Sequence, residues 1–102
     1  MMSKSKILTG VSLDENIELS INELCRSCSV QREMIVALVE EGVLTPVDTH
    51  EADYRFPSAS VRLVIKAVRL QRDLDLNYPG IALALELMDE IEHLRERLRV
   101  FE

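Results

Sequence analysis

Two cysteines three residues apart, Cys25 and Cys28, have the C-x-x-C spacing that can form a redox pair or half of a zinc site. The chain contains no second cysteine pair, and its two histidines, His50 and His93, lie in unrelated segments. The β-α-β pattern of a thioredoxin-like site is missing. Cysteines at this spacing on a helix also pack as small buried hydrophobic residues. We therefore predict a core role for both thiols, with no metal and no cofactor; a thiol or metal sensor is the less favoured alternative.

Paired acidic residues are the second feature that could carry chemistry, because general acid–base catalysis often uses two carboxyl groups. Glu40 with Glu41, and Asp89 with Glu90, are such pairs. Catalysis needs a cleft that shifts a carboxyl pKa, whereas neighbouring acids on helices usually face water. His93, four residues after Asp89, is explained by an i,i+4 helix pair. The three glycines lie too far apart for a phosphate-binding loop. We predict that the protein is not an enzyme.

Chain length and charge restrict the function further. The 102 residues provide one small hydrophobic core, and 12 Lys and Arg against 18 Asp and Glu leave a net charge of −6. Proteins that bind nucleic acids take most of their non-specific affinity from basic side chains, so this charge opposes DNA binding. Because no apolar run is long enough for a secretory signal or a membrane span, we expect a soluble intracellular protein.

The elements that must position these residues begin with a helix-turn-helix pattern. Residues 20–23, Ser-Ile-Asn-Glu, fit a capping box at the start of a first helix that extends to about Ser27. Ser29 can cap a second helix over residues 31–41, which Gly42 can end in a left-handed conformation. Two short helices joined by a tight turn form a helix-turn-helix unit.

A small β-hairpin and a third helix are predicted next. Residues 43–47 and 54–56 are β-prone and flank a polar stretch, and Pro46 favours an edge position. The third helix extends from Ser58 to about Asp75, and we expect it to pack from two sides because it has two apolar stripes. The stripes are Val61, Val64, Ile65 and Val68 on one face, and Leu63, Ala67, Leu70 and Leu74 on the other.

A fourth helix, which follows a break at residues 77–80 and reaches the end of the chain, has the clearest periodicity. Its apolar residues recur at steps of three and four over nearly three heptads, as in a coiled-coil seam. The seam can pack on the third helix or on a second copy of the protein. Because a helix of this length, ~30 Å, overhangs a small domain, we expect a homodimer. The seam residues are Ala84, Leu87, Ile91, Leu94, Leu98 and Phe101.

Most of the negative charge lies in the predicted helix-turn-helix and hairpin. Residues 13–57 contain ten acidic residues and three arginines. The second helix of a DNA-binding helix-turn-helix carries basic and amide side chains, whereas residues 31–41 contain one Arg and three Glu. We therefore expect this helix not to bind DNA. An acidic surface that serves only solubility is the alternative.

From about Leu19 onward, the order of the elements resembles the MerR-like winged-helix fold, through residues 21–30, 42–46 and 54–56. The resemblance implies a mainly α fold with a helix-turn-helix, a small β-hairpin wing and a long C-terminal helix. DNA-binding members usually carry Arg and Tyr in the second helix, where residues 33–36 are Glu-Met-Ile-Val here.

On this pattern we divide the chain into three parts. Residues 1–12 form a flexible N-terminal segment. Residues 13–78 form the MerR-like helix-turn-helix, wing and third helix, and residues 79–102 form a coiled-coil-like C-terminal helix.

The second half of the chain resembles the chaperone-modulator family of CbpM-like proteins more specifically, within a match of about eighty residues. The resemblance rests on residues 74–82, Leu-Asp-Leu-Asn-Tyr-Pro-Gly-Ile-Ala, followed by Leu-Met-Asp at residues 87–89. It implies a bacterial cytoplasmic protein that binds the J-domain of a DnaJ-like, CbpA-type co-chaperone and inhibits its cooperation with DnaK. A MerR-type DNA-binding transcription regulator is the alternative function.

The acidic charge suggests how such inhibition would work. J-domains present a basic helical surface to DnaK, and an acidic module could cover that surface. We predict that the face of the fourth helix opposite its seam makes the contact, with Met88 and Asp89 best supported by the motif. The alternative for Tyr78 is that, together with Pro79, it only fixes the turn before the fourth helix. The predicted partner-binding residues are Glu86, Met88, Asp89, Glu92, His93 and Glu96, followed by Arg69 and Tyr78.

Overall fold

The computed structural model describes residues 17–48, 50 and 54–100, and within these ranges it contains four helices and one two-stranded sheet. The predicted mainly α fold class, with a helix-turn-helix and a long C-terminal helix, is confirmed. The proposed N-terminal segment, residues 1–12, and the seam residue Phe101 lie outside the described residues. The elements are β1 (Glu18–Ser20), α1 (Ile21–Cys28), α2 (Arg32–Glu40), β2 (Arg55–Pro57), α3 (Ser60–Leu74) and α4 (Tyr78–Val100).

The start of α1 is the predicted capping box. The Ser20 hydroxyl accepts a hydrogen bond from the Glu23 amide at 3.1 Å, and the Ser20 amide donates to the Glu23 carboxylate at 2.8 Å. Two amide groups at the helix start are thereby satisfied. The Ser20 amide is also the main reason why the pKa of Glu23 is lowered.

The turn between α1 and α2 differs from its prediction. Ser29 adopts a left-handed conformation with φ of 57° and ends α1, its amide donating to the Cys25 carbonyl. It does not cap α2, which follows Gln31 and has no side-chain cap. A short polar residue is suited to both positions, so its type alone does not distinguish them. Gly42, with φ of 79°, lies beyond the end of α2 and has the predicted left-handed conformation.

The sheet pairs segments that the sequence did not predict to pair. β1 and β2 are antiparallel, with Leu19 opposite Phe56. Among the described residues, 43–47 form no strand, and this region contributes one isolated bridge between Asp48 and Arg55. The predicted strand over residues 43–47 was therefore wrong, but the hairpin contact is present in part, because the Val47 amide donates to the Arg55 carbonyl at 2.7 Å beside that bridge. Pro46 has no amide to donate to a strand ladder, and pairing with β1 holds Phe56 over the core, where it is fully buried.

The core is aliphatic except for Phe56, and all the helices contribute to it. Tyr54 packs edge-on against Phe56, with ring centroids 5.7 Å apart. Burial of these side chains removes apolar area from water and provides most of the driving force for folding. The buried residues are Ile21, Leu24, Met34, Ile35, Leu38, Leu44, Phe56, Val61, Val64, Ala67, Ile81 and Leu85.

α3 begins at Ser60 and ends at Leu74, and Asp75 follows in a left-handed conformation. Val61, Val64 and Ala67 are buried in the core and Val68 packs against it. Ile65 of the first stripe and Leu74 of the second are exposed, so the expectation of packing from two sides was wrong for those two residues.

α4 begins at the predicted break. The Asn77 side chain accepts a hydrogen bond from the Gly80 amide at 2.8 Å, which is the contact of a helix N-cap. Ile81 and Leu85 are buried, and every described residue after Leu85 is exposed. The second half of α4 therefore extends beyond the core. None of the described helices is long and apolar enough to span a membrane.

Candidate partner-binding groove

A groove of about 780 Å³ lies between the end of α2, the middle of α3 and the first half of α4. Its apolar lining includes Val43 after α2, Leu63 on α3, and Leu85 with Met88 on α4. Leu85 is buried and holds α4 against the core, while Met88 is 43% exposed and reaches the open side. An exposed methionine in a groove can adapt to the shape of an apolar partner side chain.

Acidic side chains dominate the polar lining of the groove. Glu86, Asp89 and Glu92 recur every three residues along α4, a spacing that places them near one another on one side of the helix. Glu41, at the end of α2, adds a fourth carboxylate, and Lys66 of α3 is the one basic residue of the described lining. The groove therefore combines an apolar floor with a negatively charged rim.

Three charge pairs modify the acidic wall at its outer end. The Arg99 guanidinium lies 3.8 Å from the carboxylates of both Glu92 and Glu96. His93 Nδ1 lies 4.0 Å from Asp89 Oδ2, the predicted i,i+4 pair, which is an ion pair only when His93 is protonated. These groups are well exposed, so the pairs contribute little to stability.

The structure brings four of the predicted partner-binding residues into this groove: Glu86, Met88, Asp89 and Glu92. His93 and Glu96 continue along the exposed part of α4 without lining it. They extend the acidic surface towards the C-terminal end of the helix.

The other two predicted residues lie elsewhere. Tyr78, at the start of α4, lines a separate depression of about 330 Å³ with Met34 and Val68. Arg69 is exposed on α3 and lines neither depression. The predicted set is therefore divided between at least two surfaces, and only Glu86, Met88, Asp89 and Glu92 lie together in the groove.

Sequence reasoning missed the groove residues outside α4: Glu41, Gly42, Val43, Leu63 and Lys66. Glu41 and Gly42 were recognised as part of a helix end, and Leu63 as part of an apolar stripe. No local signal joins these segments to α4, because the groove exists only where the three helices pack.

The predicted seam lies on the side of α4 roughly opposite the groove, as 3.6 residues per turn requires for this spacing. Leu87, Ile91, Leu94 and Leu98 are 53%, 49%, 48% and 66% exposed, whereas Ala84 is half-buried. The described part of the chain leaves this apolar stripe uncovered. Packing of the whole seam on α3, one of the two alternatives, is not observed.

The two cysteines are free thiols at the edge of the core. Burial raises the pKa of Cys25 and of Cys28, so both thiols hold their protons more firmly than an exposed cysteine. The Cys28 thiol also lies 3.9 Å from the Val61 carbonyl oxygen. These surroundings favour the packing role over a reactive redox pair. Within the described ranges, no group of three or more potential ligands could hold a metal ion.

Comparison with known proteins first identifies the class of protein to which the fold belongs. The family described as MerR HTH family regulatory protein matches residues 19–102. The matched region contains the helix-turn-helix, β2, α3 and α4. The winged-helix-like arrangement of the structure is consistent with that match.

The match to individual proteins is more specific. A relative from Coxiella burnetii (strain Dugway 5J108-111) is 35% identical over 97 residues, covering 95% of this chain and 92% of its own length. Relatives from Escherichia coli O1:K1 / APEC and Pseudomonas putida are 36% and 33% identical, over 82% and 78% of this chain and 83% and 78% of their own lengths. All three are named chaperone modulatory protein CbpM. The chain belongs to the MerR HTH family and to the family of CbpM chaperone modulatory proteins.

Family membership supports a chaperone modulator role for the chain. The relatives are named as modulators and the family as a regulatory protein, which points to a non-catalytic protein.

Proposed function

We propose that the protein inhibits a DnaJ-like, CbpA-type co-chaperone by binding its J-domain through the groove, and that it acts in the bacterial cytoplasm without catalysing a reaction. The observation that carries the proposal is the meeting of Glu86, Met88, Asp89 and Glu92 in one groove. These residues belong to the stretch of α4 that resembles the chaperone modulators. Binding there would cover the J-domain surface that DnaK needs.

The two kinds of groove side chain would contribute differently to such binding. Apolar contacts with Met88 and its neighbours would exclude water and supply most of the affinity, as at the centre of other protein interfaces. The exposed carboxylates would mainly accelerate encounter with a basic surface and orient it. The contact would therefore be sensitive to salt in its association rate more than in its dissociation rate.

We also propose that two copies of the protein associate through the apolar stripe of α4. Exposed leucines at heptad spacing over the outer half of α4 favour a coiled coil with α4 of a second copy. Because the stripe and the groove lie roughly opposite each other, the dimer would leave the groove open.

One binding experiment tests the proposed function against the alternative of a DNA-binding regulator. The full-length protein is titrated by calorimetry with the cognate full-length co-chaperone, with the same co-chaperone lacking its J-domain, and with genomic DNA fragments. We expect heat of binding with the first alone. Heat of binding with the DNA fragments and none with the co-chaperone would overturn the proposal and support the regulator.

Inhibition is measured separately. Added protein is expected to reduce the stimulation of DnaK ATPase activity by the co-chaperone, in proportion to the complex formed. A complex that leaves this stimulation unchanged would contradict the inhibitory part of the proposal while leaving the binding part intact.

A further inference from the structure

The two helical walls of the groove carry charge of opposite sign. Glu86, Asp89 and Glu92 line the α4 wall, whereas Lys66 lines the α3 wall beside Leu63. A groove adapted only to a basic partner would gain nothing from a cation in its lining, because like charges repel across an interface. Lys66 therefore needs an explanation that the overall acidity of the protein does not provide.

Lys66 is not used to neutralise the acids of its own groove. It is exposed, and among the described residues it forms no ion pair or hydrogen bond. The α4 carboxylates find their cationic neighbours on α4 itself, through Arg99 and His93. The Lys66 ammonium is consequently available to a partner.

The neighbouring surface of α3 has the same sign. Arg62 precedes Lys66 by four residues and Arg69 follows it by three, so the three side chains lie on one side of the helix. Both arginines are exposed, and neither lines the groove. The groove thus has an acidic edge along α4, and on its α3 side Lys66 belongs to a basic strip that continues outside the groove.

We propose that Lys66 determines partner specificity by binding a carboxylate on the partner segment, while basic side chains of the same segment face the α4 carboxylates. The inference rests on the proposed function and adds the composition of the occupant: an amphipathic helix with basic residues on one edge and an acidic residue on the other. A helix is 10–12 Å wide with its side chains, so its two edges can face the two walls at once. The opposite charges of the two walls then fix the orientation of the bound helix in the groove.

Charge reversal at Lys66 separates this inference from simple acid-to-base attraction. Lys66→Glu makes the groove more acidic, so attraction alone predicts tighter binding of a basic partner. The inference predicts the reverse: the Kd for the cognate full-length co-chaperone rises about 10-fold. Arg62→Glu is the matched control, because it changes the net charge equally, one helical turn away and outside the groove. Its Kd is expected to stay within about 3-fold of the wild-type value.

A second variant and a partner variant complete the test. Lys66→Met removes the charge but keeps the length of the side chain, and we expect a smaller loss of affinity in the same direction. Reversal of one carboxylate on the bound J-domain surface to Lys should restore binding to Lys66→Glu. Circular dichroism checks that both Lys66 variants keep the helical content of the wild-type protein.

The possible results distinguish the two proposals. If the wild-type protein binds the co-chaperone and Lys66→Glu binds it equally or more tightly, the specificity role of Lys66 is overturned and the proposed function stands. Equal losses in Lys66→Glu and Arg62→Glu would also overturn it, because they would reflect long-range charge. Absence of wild-type binding would overturn the proposed function, and this inference with it.

Discussion

The protein has two regions that use the same residue types for different purposes. The described residues up to Leu85 form the body, and residues 86–100 of α4 form the overhang. Leu24 and Leu38 in the body are fully buried, whereas Leu87 and Leu98 in the overhang are 53% and 66% exposed. The buried leucines of the body therefore stabilise the fold, and leucines in the overhang are available for association.

The carboxylates of the two regions also differ in their arrangement. Carboxylates in the body are used locally: Glu23 caps α1, and Glu18 accepts a hydrogen bond from Arg55 across the sheet at 3.0 Å. The overhang arranges its acids along one side of a helix with an apolar stripe on the other. The comparison teaches that the residues that stabilise the fold lie in the body, whereas most of the apolar stripe and the acidic wall of the groove lie in the overhang. Leu63 and Lys66 of the body complete the groove.

The largest expected effect is a cavity in the body. Leu38→Ala should lower the free energy of unfolding by about 2–5 kcal/mol, because a fully buried side chain is truncated and its neighbours close the space only in part. Leu98→Ala, the control in the overhang, should change it by less than about 0.5 kcal/mol at protein concentrations that favour the monomer. Urea denaturation measures both, and similar losses would contradict the division into body and overhang.

The next effect concerns the apolar stripe. Ile91→Lys should raise the dissociation constant of the homodimer about 100-fold, because it places a charge in the middle of the seam of both copies. Sedimentation equilibrium measures this constant, and Asp89→Lys on the opposite side of α4 is the control, with the dimer expected to persist. A wild-type protein that stays monomeric at all concentrations would show that the apolar stripe is not a dimer interface.

A smaller effect is expected on the acidic side of α4. Asp89→Lys should weaken binding to the co-chaperone about 10-fold by placing a cation in a wall proposed to meet basic side chains. Glu90→Lys is the matched control, because it makes the same charge change at the adjacent residue, which does not line the groove. If calorimetry shows equal losses for the two variants, the groove does not provide the contact.

The smallest effect concerns the capping box of α1. The pKa of Glu23 is lowered, mainly by the Ser20 amide, so its contribution to stability is present above the ordinary carboxyl pKa and is lost as the pH falls through the lowered value. Glu23→Gln should remove this acid-dependent part of the unfolding curve. Thermal unfolding followed between neutral and acidic pH measures it; an unchanged pH dependence would show that other carboxyl groups dominate.

Local signals were sufficient for much of the fold. The capping box at Ser20, the left-handed Gly42, the break before α4 and the heptad pattern of α4 could all be predicted, because each depends on residues within one or two turns of one another. Ser29 was assigned to the wrong helix because a small polar residue suits both the end of one helix and the start of the next. The pairing of β2 with β1 was missed because the two strands are distant along the chain: Ser20 pairs with Arg55, Leu19 with Phe56 and Glu18 with Pro57.

The candidate site shows the same limit. Glu86, Asp89 and Glu92 could be predicted as one helical face, since helix periodicity groups them, and the motif added Met88. Lys66 and Val43 could not, because they reach the groove only through the packing of α3 and the end of α2 against α4. Tyr78 and Arg69 were grouped with the α4 residues on the strength of the motif, and packing separates them.

The amino-acid sequence by itself determined the helices, their ends, the acidic charge and the apolar stripe, because periodicity, capping and composition are properties of short stretches of chain. Only the tertiary structure decided which apolar residues are covered, which strand β2 pairs with, and that a lysine faces three carboxylates across one groove. Those features depend on contacts between segments distant along the chain, and burial of the common core selects one arrangement of the segments.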